Sequence, residues 1–282
     1  MGRITEALKK IGDDRISRIQ KKPEIQYVIR RVQNSSIDEH IVSFHDPSSP
    51  VGEQYKILRT HIQTVKATKG HKAFVMTSSI NKEGKTATAI NLAISMAGDL
   101  NNKTILLIDA DMRKGTMAKY LGLDSSPGLC EVLKGEVDID SVLVNPNIDN
   151  LTVLASGKTP KNPSELLNSK RMEQVIASLK SRFDYIFIDA PPVMPLADAC
   201  ILGPMADGVI VIIRAGRTQR DMVKHVEHRL RQARANIIGY VITNVEYHIP
   251  QYLYRYVQEY GGYDSYHKQN KVKEMEEIAN EA

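Results

Sequence analysis

The chain has 282 residues, of which 42% are hydrophobic and 25% charged, a composition that excludes a disordered or fibrous protein. Its apolar stretches, such as Val209 to Ile213, are much shorter than the roughly 20 residues that span a bilayer. The polar N-terminus lacks the apolar core of a secretory signal, and two cysteines are too few for a disulfide framework or a cysteine-rich metal site. We therefore expect a cytoplasmic protein with one domain and extensions, or at most two domains.

The net charge of +5 is concentrated at the N-terminus. Residues 1–31 contain nine basic and four acidic side chains, whereas the rest of the chain contains 29 of each. A nonspecific nucleic-acid binder needs a dense basic face on its folded domain. The neutral remainder of the chain therefore predicts that nucleic acid is not a partner.

In chain order, residues 3–20 show an approximate helical spacing of apolar side chains and predict a short amphipathic helix. Residues 21–50, with several Pro and Ser, indicate a linker. Helices and strands alternate after residue 50. The predicted helices are 53–65, 85–100, 170–181 and 221–233, and the predicted strands are 73–77, 104–109, 185–189, 208–214 and 237–244.

The predicted strands are apolar throughout and lack two-residue alternation, which is typical of strands covered on both faces by helices. We therefore predict an α/β fold with a doubly wound, mostly parallel sheet. Three parts are expected along the chain: a basic N-terminal helix and linker (1–50), a central domain (51–246) and a tyrosine-rich C-terminal tail (247–282).

The loop after the first predicted strand resembles the phosphate-binding pattern GxxxxGK[ST]. Ser79 stands at the first glycine, and Gly84, Lys85 and Thr86 match the remaining positions. In such a loop, backbone N–H groups surround a phosphate, the lysine neutralises charge and the hydroxyl binds Mg²⁺. The strand–loop–helix setting favours this interpretation over an ordinary turn. The predicted nucleotide-binding residues of the loop are Ser79, Ile80, Asn81, Lys82, Glu83, Gly84, Lys85, Thr86 and Ala87.

Two further predicted strands end in aspartate. Asp109 and Asp111 follow one strand, and Asp189 follows another. A single aspartate there is usually a turn or helix-capping residue. Because the carboxyl ends of parallel strands form the ligand crevice, three of them downstream of a phosphate-binding loop predict a magnesium–nucleotide site.

Together, the GKT loop, LLIDADMRKG and YIFIDAPPV resemble the Walker A, A′ and B motifs of bacterial tyrosine kinases, relatives of the MinD and ParA ATPases. The stretches ASGKTPKNPSELL (155–167) and APPVMPLADA (190–199) are also similar to that family. The resemblance implies a MinD/ParA-like P-loop NTPase fold, ATP and Mg²⁺ as cofactors, and protein-tyrosine kinase activity.

The resemblance also implies roles for individual residues. Lys85 would hold the ATP phosphates, Thr86 would bind Mg²⁺ directly, and Asp189 would orient the metal through water. Asp109 and Asp111 would divide the remaining tasks, one accepting the proton of the tyrosine hydroxyl and the other supporting the metal. We favour Asp109 as the base, so the predicted catalytic residues are Lys85, Asp109 and Asp111, and the predicted metal residues are Thr86, Asp111 and Asp189.

The phosphate loop departs from the family's usual sequence, and one further residue is expected to contact the nucleotide. Family loops read close to PGEGKT, whereas Asn81 and Lys82 precede the Glu-Gly-Lys-Thr run here. A left-handed backbone at Lys82 would cost about 1 kcal/mol relative to glycine. Ile80 stands where MinD-like loops carry an extra lysine, so Lys82 is not given that role. Asn244, at the end of the last predicted strand, is expected to contact adenine.

Glu53, Lys56 and Arg59 resemble the family's ExxRxxR helix, which mediates ring-like self-association. The three positions lie on nearly one face of a helix, and without the resemblance they would suggest only a solvated charged face. With it, they predict a homo-oligomer interface. Lys56 replaces the first arginine and lacks its bidentate fork, so the predicted assembly is weaker.

Seven of the twelve tyrosines lie within residues 247–266. A buried aromatic stripe is the alternative interpretation, but Gly261, Gly262 and the scarcity of aliphatic neighbours favour a mobile tail. Phosphorylation would add roughly −1.5 to −2 charges per tyrosine. The predicted autophosphorylation sites are Tyr247, Tyr252, Tyr254, Tyr256, Tyr260, Tyr263 and Tyr266.

The sequence is compatible with three functions. The preferred one is an ATP-dependent tyrosine autokinase that regulates exopolysaccharide or capsule synthesis and export. The alternatives are a MinD/ParA-like switch ATPase that positions cargo on membrane or DNA, and a catalytically weak nucleotide-binding regulator. For the kinase, the resemblance implies a transmembrane polysaccharide chain-length regulator as activator, a protein-tyrosine phosphatase as a further partner, and peripheral association with the inner face of the cell membrane.

Overall fold

The computed structural model describes residues 30–31 and 36–245, and within them one eight-stranded sheet organises the chain. The strand order is β1-β4-β5-β3-β6-β2-β7-β8. All neighbouring strands are parallel except β4 and β5. The strands are β1 (Arg30–Arg31), β2 (Ala73–Ser78), β3 (Ile105–Asp109), β4 (Leu143–Asn145), β5 (Leu151–Leu154), β6 (Tyr185–Asp189), β7 (Gly208–Arg214) and β8 (Ile237–Thr243).

Helices connect the strands and cover both faces of the sheet. Helix α2 begins after Ser49, whose hydroxyl accepts the N–H of Gly52, and ends before Gly70, whose φ of 70° favours glycine. None of the described helices is long and apolar enough to cross a bilayer. The helices are α1 (Val42–His45), α2 (Pro50–Lys69), α3 (Lys85–Ala97), α4 (Met117–Tyr120), α5 (Leu129–Lys134), α6 (Pro163–Leu167), α7 (Lys170–Arg182), α8 (Asp198–Leu202) and α9 (Arg220–Gln232), with 3₁₀ turns at Ile139–Ser141 and Gly203–Met205.

Alternate residues of each central strand enter two different apolar cores. In β6, Ile186 and Ile188 face the core shared with α7, α8 and α9, whereas Phe187 faces the core shared with α2 and α3. The rings of Phe187 and Phe74 stack with their centroids 5.8 Å apart. The doubly wound, mostly parallel sheet predicted from the sequence is confirmed, and burial on both faces explains its unbroken apolar strands.

The linker prediction for residues 21–50 is wrong for the described part of that segment. Ile41 is fully buried, and the N–H of Ser43 donates to Asn91 Oδ1 of α3 at 2.8 Å. Strand β1 and helix α1 also lie in this segment. The packed unit therefore begins before residue 51, where the sequence placed the start of the central domain. The predicted helix over residues 3–20 lies outside the described residues.

The last strand is one residue shorter than predicted. Strand β8 ends at Thr243 because Asn244 has a φ of 54°, in the left-handed region that strands do not use. Helix α2 is longer than the predicted 53–65, because Ser49 and Gly70 supply its caps.

Burial of Ile41 leads to a stability prediction. Replacing it with alanine removes apolar contacts from a filled core, so Ile41→Ala should lower the free energy of unfolding by about 2–5 kcal/mol. Ile57→Ala on α2 is the matched control, because the Ile57 side chain is 50% exposed and its loss should change stability by about 0.5 kcal/mol or less. Urea denaturation followed by circular dichroism measures both, and equal effects would contradict the packed position of residues 36–49.

Candidate active site

The loop between β2 and α3 has the geometry of a phosphate cradle. Gly84 caps the 13-residue helix α3 with a φ of 86° and supplies no side-chain hydrogen bond to its first turn. The N–H groups of that turn are therefore left for an anion, which the helix dipole also favours. A Cβ atom at Gly84 would lie 3.6 Å from Thr243 Cγ2, so the end of β8 borders the loop.

Hydrogen bonds from two neighbouring segments fix the shape of this loop. The buried carboxylate of Glu83 accepts the N–H of Ile80 at 2.9 Å and a short hydrogen bond from the Thr218 hydroxyl. Thr243 Oγ1 donates to the Glu83 carbonyl at 2.8 Å. Lys82 has a φ of 66°, which is the left-handed conformation considered from the sequence. The ends of β7 and β8 thus hold a preformed loop.

Lys85 stands between two carboxylates from different strands. Its Nζ atom lies 3.1 Å from Asp111 Oδ2 and 3.2 Å from Asp189 Oδ1. The hydroxyl of Thr86 donates to Asp189 Oδ2 at 2.6 Å. The predicted lysine, hydroxyl and two of the predicted aspartates are therefore brought together at one edge of the sheet.

Asp109 occupies a different position from the other two aspartates. Its Oδ1 accepts the N–H of Asp111 at 3.1 Å, and its Oδ2 accepts the N–H of Met117 at 3.2 Å. Asp109 is also aligned with Asp189 on the neighbouring strand. The carboxylate therefore shapes the loop that follows β3 while it lies beside the reactive group of side chains.

Burial and mutual repulsion set the charges of the site. Burial alone would lower the pKa of Lys85, but Asp189 and Asp111 more than compensate and raise it. Burial, with the neighbouring Asp189, raises the pKa of Asp109 to about 7. Burial also raises the pKa of Asp189 despite the opposing effect of Lys85. One ammonium group thus faces three carboxylates, an arrangement that favours an additional cation.

The residues fit a magnesium ion that is shared with a nucleotide. Among the described residues, no group of three or more His, Cys, Asp or Glu side chains is placed to hold a metal alone. Mg²⁺ usually takes one or two carboxylates together with substrate phosphates, and Thr86, Asp111 and Asp189 can supply the protein part. Ser79 Oγ, at the start of the loop, is buried without a hydrogen-bond partner in the protein.

The other predicted residues lie at varying distances from this centre. Asn244 is exposed and directly follows Thr243, which places it beside the loop. Asn81 accepts a hydrogen bond from Lys114 Nζ at 2.7 Å, which connects the loop to the segment after β3. Ile80 and Lys82 lie in the loop itself, and Ala87 lies in the first turn of α3.

The predicted interface residues have partners within the chain. Lys56 forms an ion pair with Glu53 at 2.6 Å, and Arg59 Nη1 donates to the Ser95 carbonyl at 2.8 Å. All seven predicted tail tyrosines lie outside the described residues.

Sequence reasoning missed Thr218. It lies in the loop after β7 and touches Glu83, yet it belongs to no recognisable motif. The only signal that could have indicated it is topological, because the carboxyl end of the strand next to β2 must border the phosphate loop.

A phosphate-binding loop at the start of a helix, with aspartates at the ends of neighbouring parallel strands, defines a P-loop NTPase of the MinD/ParA-like class. Residues 78–238 match a family model described as an AAA domain. Tyrosine-protein kinase YwqD of Bacillus subtilis is 33% identical over 215 residues, which cover 76% of this chain and 90% of that protein.

Two further comparisons agree with this result. The BceF tyrosine kinase domain has a TM-score of 0.67 and 32% identity, with 72% of this chain and 81% of that chain covered. The putative tyrosine-protein kinase EpsB of Ralstonia solanacearum is 32% identical over 80% of this chain, but the match spans only 30% of that protein. The chain belongs to the bacterial tyrosine kinase family, and the predicted family, fold class and enzyme class are confirmed.

The left-handed backbone of Lys82 leads to a second prediction. Lys82→Gly should raise the free energy of unfolding by about 0.5–1 kcal/mol, because glycine adopts this conformation without strain. The control is Asp124→Gly, at an exposed loop residue outside the left-handed region, which should lower stability by about 0.5–1 kcal/mol. Thermal denaturation of both variants checks the pair, and a loss of stability in Lys82→Gly would refute the assigned strain.

Proposed function

We propose that this chain is an ATP-dependent tyrosine autokinase that phosphorylates its own C-terminal tyrosine cluster, between subunits of a homo-oligomer. The observation that carries the proposal is the position of Lys85 between Asp111 and Asp189, with the Thr86 hydroxyl 2.6 Å from Asp189. Phosphoryl transfer depends mainly on positioning and charge stabilisation, which this arrangement provides.

In the proposed mechanism, the loop N–H groups and Lys85 bind and orient the ATP phosphates. Thr86, Asp111 and Asp189 would hold Mg²⁺, which would supply charge neutralisation. Asp109 accepts the proton of the tyrosine hydroxyl. At the same time the tyrosine oxygen bonds to the γ-phosphorus, and the bond between that phosphorus and the ADP leaving group breaks. A pKa of about 7 for Asp109 suits a base that works near neutral pH. Asn244 contacts the adenine ring in this mechanism.

The end of the last strand supports the role of the following tail as substrate. The chain leaves the sheet at Thr243, which is hydrogen-bonded to the phosphate loop, and the first tail tyrosine follows at residue 247. The transferred group would therefore be delivered close to where the tails emerge. If subunits associate through the face that carries Glu53, Lys56 and Arg59, each tail gains a high effective concentration at its neighbour's site.

The biological setting proposed for this activity is regulation of exopolysaccharide or capsule synthesis and export. A transmembrane chain-length regulator would activate the kinase at the inner face of the membrane, and a protein-tyrosine phosphatase would reverse the modification. The nine basic residues within 1–31 support peripheral membrane association, since each basic charge near an anionic lipid surface contributes about 1 kcal/mol.

Substitutions in the site test the kinase assignment. Asp109→Asn should lower phosphotyrosine formation with Mg-ATP by about 100-fold or more, because it removes the general base. Lys85→Met should abolish it by removing the phosphate-binding ammonium. Immunoblotting for phosphotyrosine measures both, and circular dichroism verifies that each variant is folded. A folded variant with wild-type labelling would overturn the role given to that residue, and an unlabelled wild-type chain would favour the switch ATPase.

A mixing experiment tests transfer between subunits. One chain carries Lys85→Met with an intact tail, and the other is active but has its seven tail tyrosines replaced by phenylalanine. After mixing with Mg-ATP, the Lys85→Met chain should be labelled and the phenylalanine chain should not. No label on the former, with wild-type chains active in the same buffer, would establish transfer within one chain.

A further inference from the structure

Three stretches that the proposed chemistry leaves unexplained meet at one fully buried carboxylate. Asp198 is the first residue of α8 and lies in the stretch that follows Asp189, with no exposed surface. Arg113 belongs to the segment after Asp111, and Ser164 belongs to α6 within the stretch 155–167. None of these three side chains has a role in the predictions from the sequence.

The contacts among them are close and directional. Arg113 Nε donates to Asp198 Oδ2 at 3.1 Å and its Nη2 donates to Asp198 Oδ1 at 3.4 Å, so the guanidinium spans both carboxylate oxygens. The same Nη2 donates to Ser164 Oγ at 2.8 Å, and Ser164 Oγ donates to Asp198 Oδ1 at 2.5 Å. A two-pronged arginine–carboxylate contact fixes orientation as well as distance.

Arg113 lies inside the turn that presents Asp111 to the active site. The carbonyl of Asp111 accepts the N–H groups of Lys114 at 3.0 Å and of Gly115 at 2.8 Å, which closes the turn around Arg113. The side chain of Asp111, at the first position of this turn, pairs with Lys85. Contacts that hold the Arg113 side chain therefore also restrain Asp111, because both residues belong to one hydrogen-bonded turn.

The C-terminal end of the turn, at Gly115, packs closely against Ser156. Gly115 has a φ of 55°, and a Cβ atom there would lie 2.4 Å from Ser156 Oγ. The turn is thus seated on Ser156 at one side and tied to Asp198 and Ser164 at the other. Lys114 Nζ, which donates to Asn81 Oδ1 at 2.7 Å, connects the turn to the phosphate loop, whereas Arg113 connects it to α6 and α8.

We infer that Arg113, held by Asp198 and Ser164, is a positioning residue for phosphoryl transfer, because it fixes the turn that places Asp111 relative to Lys85 and Asp189. Asp198 follows Asp189 along the chain, so the contact couples the loops after β3 and β6 directly. This inference rests on the proposed kinase function. It assigns Arg113 no contact with the nucleotide or the tyrosine.

The inference predicts different effects of these substitutions on kcat and on nucleotide affinity. A displaced Asp111 leaves the N–H groups at the start of α3 in place, so affinity for ADP in the absence of Mg²⁺ should persist while turnover falls. Arg113→Ala and Asp198→Asn should each lower kcat by about tenfold to 100-fold, the effect expected of a displacement of about 1 Å at a reacting centre. Arg113→Lys keeps the charge but loses the two-pronged guanidinium contact, so its kcat should lie between those of the wild type and Arg113→Ala. Ser164→Ala should have the smallest effect.

A matched control removes an ion pair at the opposite end of the strands. Lys180 Nζ lies 2.8 Å from Asp207 Oδ1, and Asp207 also accepts the N–H groups of Lys72 and Ala73 before β2. The Lys180 side chain is 27% exposed and that of Arg113 33%. The Asp207 side chain is 27% exposed whereas that of Asp198 is buried, so Lys180→Ala should lower stability less than Arg113→Ala and leave kcat per folded molecule unchanged.

The experiment measures three quantities for each variant: the initial rate of phosphotyrosine formation against ATP concentration, the affinity for a fluorescent ADP analogue in the absence of Mg²⁺, and the folded fraction from urea denaturation. Lower kcat per folded molecule with unchanged affinity in Arg113→Ala, but not in Lys180→Ala, would support the inference. Wild-type kcat in folded Arg113→Ala, or parallel losses of kcat and nucleotide affinity, would overturn it. If the wild-type chain forms no phosphotyrosine, the proposed function is wrong, and the rate of ATP hydrolysis tests Arg113 instead.

Discussion

Three buried carboxylates can share one edge of this sheet because a single ammonium group stands among them. Asp109 and Asp189 are neighbours in register on β3 and β6, so their repulsion is built into the strand pairing. Lys85, delivered by the start of α3, lies within 3.2 Å of Asp111 and of Asp189. Since an unpaired buried charge is strongly unfavourable, the position of α3 and the geometry of the site depend on each other.

Carboxylates also organise the loops around this centre. Glu83 accepts a backbone N–H of the phosphate loop, and Asp109 accepts two from the loop after β3. Glu131 does the same farther away, where it accepts the N–H groups of Gly128 at 2.8 Å and Lys158 at 3.0 Å. In these three places, buried acidic side chains thus accept the backbone N–H groups that no helix or strand pairs.

Apolar strands, longer helices and the phosphate-loop motif were predictable from the sequence, whereas several short elements were not. The strand Tyr185–Asp189 and the strand Gly208–Arg214 have their predicted bounds, because each is an apolar run bounded by polar residues. Helices α4, α5, α6 and α8 span fewer than two turns, too few for a helical repeat, and β4 and β5 lack the unbroken apolar run of Tyr185–Asp189.

The candidate site divides in the same way. Lys85, Thr86, Asp111 and Asp189 could be predicted, because a motif and the ends of parallel strands place them together. Thr218, Ser164 and Asp198 could not, because their partners are 34 or more residues away in the chain and only the tertiary fold reveals them. The linker prediction failed for a related reason, since the polar residues around Ile41 conceal one side chain that the core needs.

A lysine in the left-handed region has a consequence for how the phosphate loop meets its ligand. Glycine at position 82 would relieve strain, but it would also widen the range of backbone conformations that the loop samples. Lys82, restrained by its neighbours at a φ of 66°, leaves less conformational entropy to be lost when an anion binds. The loop therefore illustrates a compromise between stability and activity, in which a small loss of folding free energy accompanies a recognition surface that is ordered in advance.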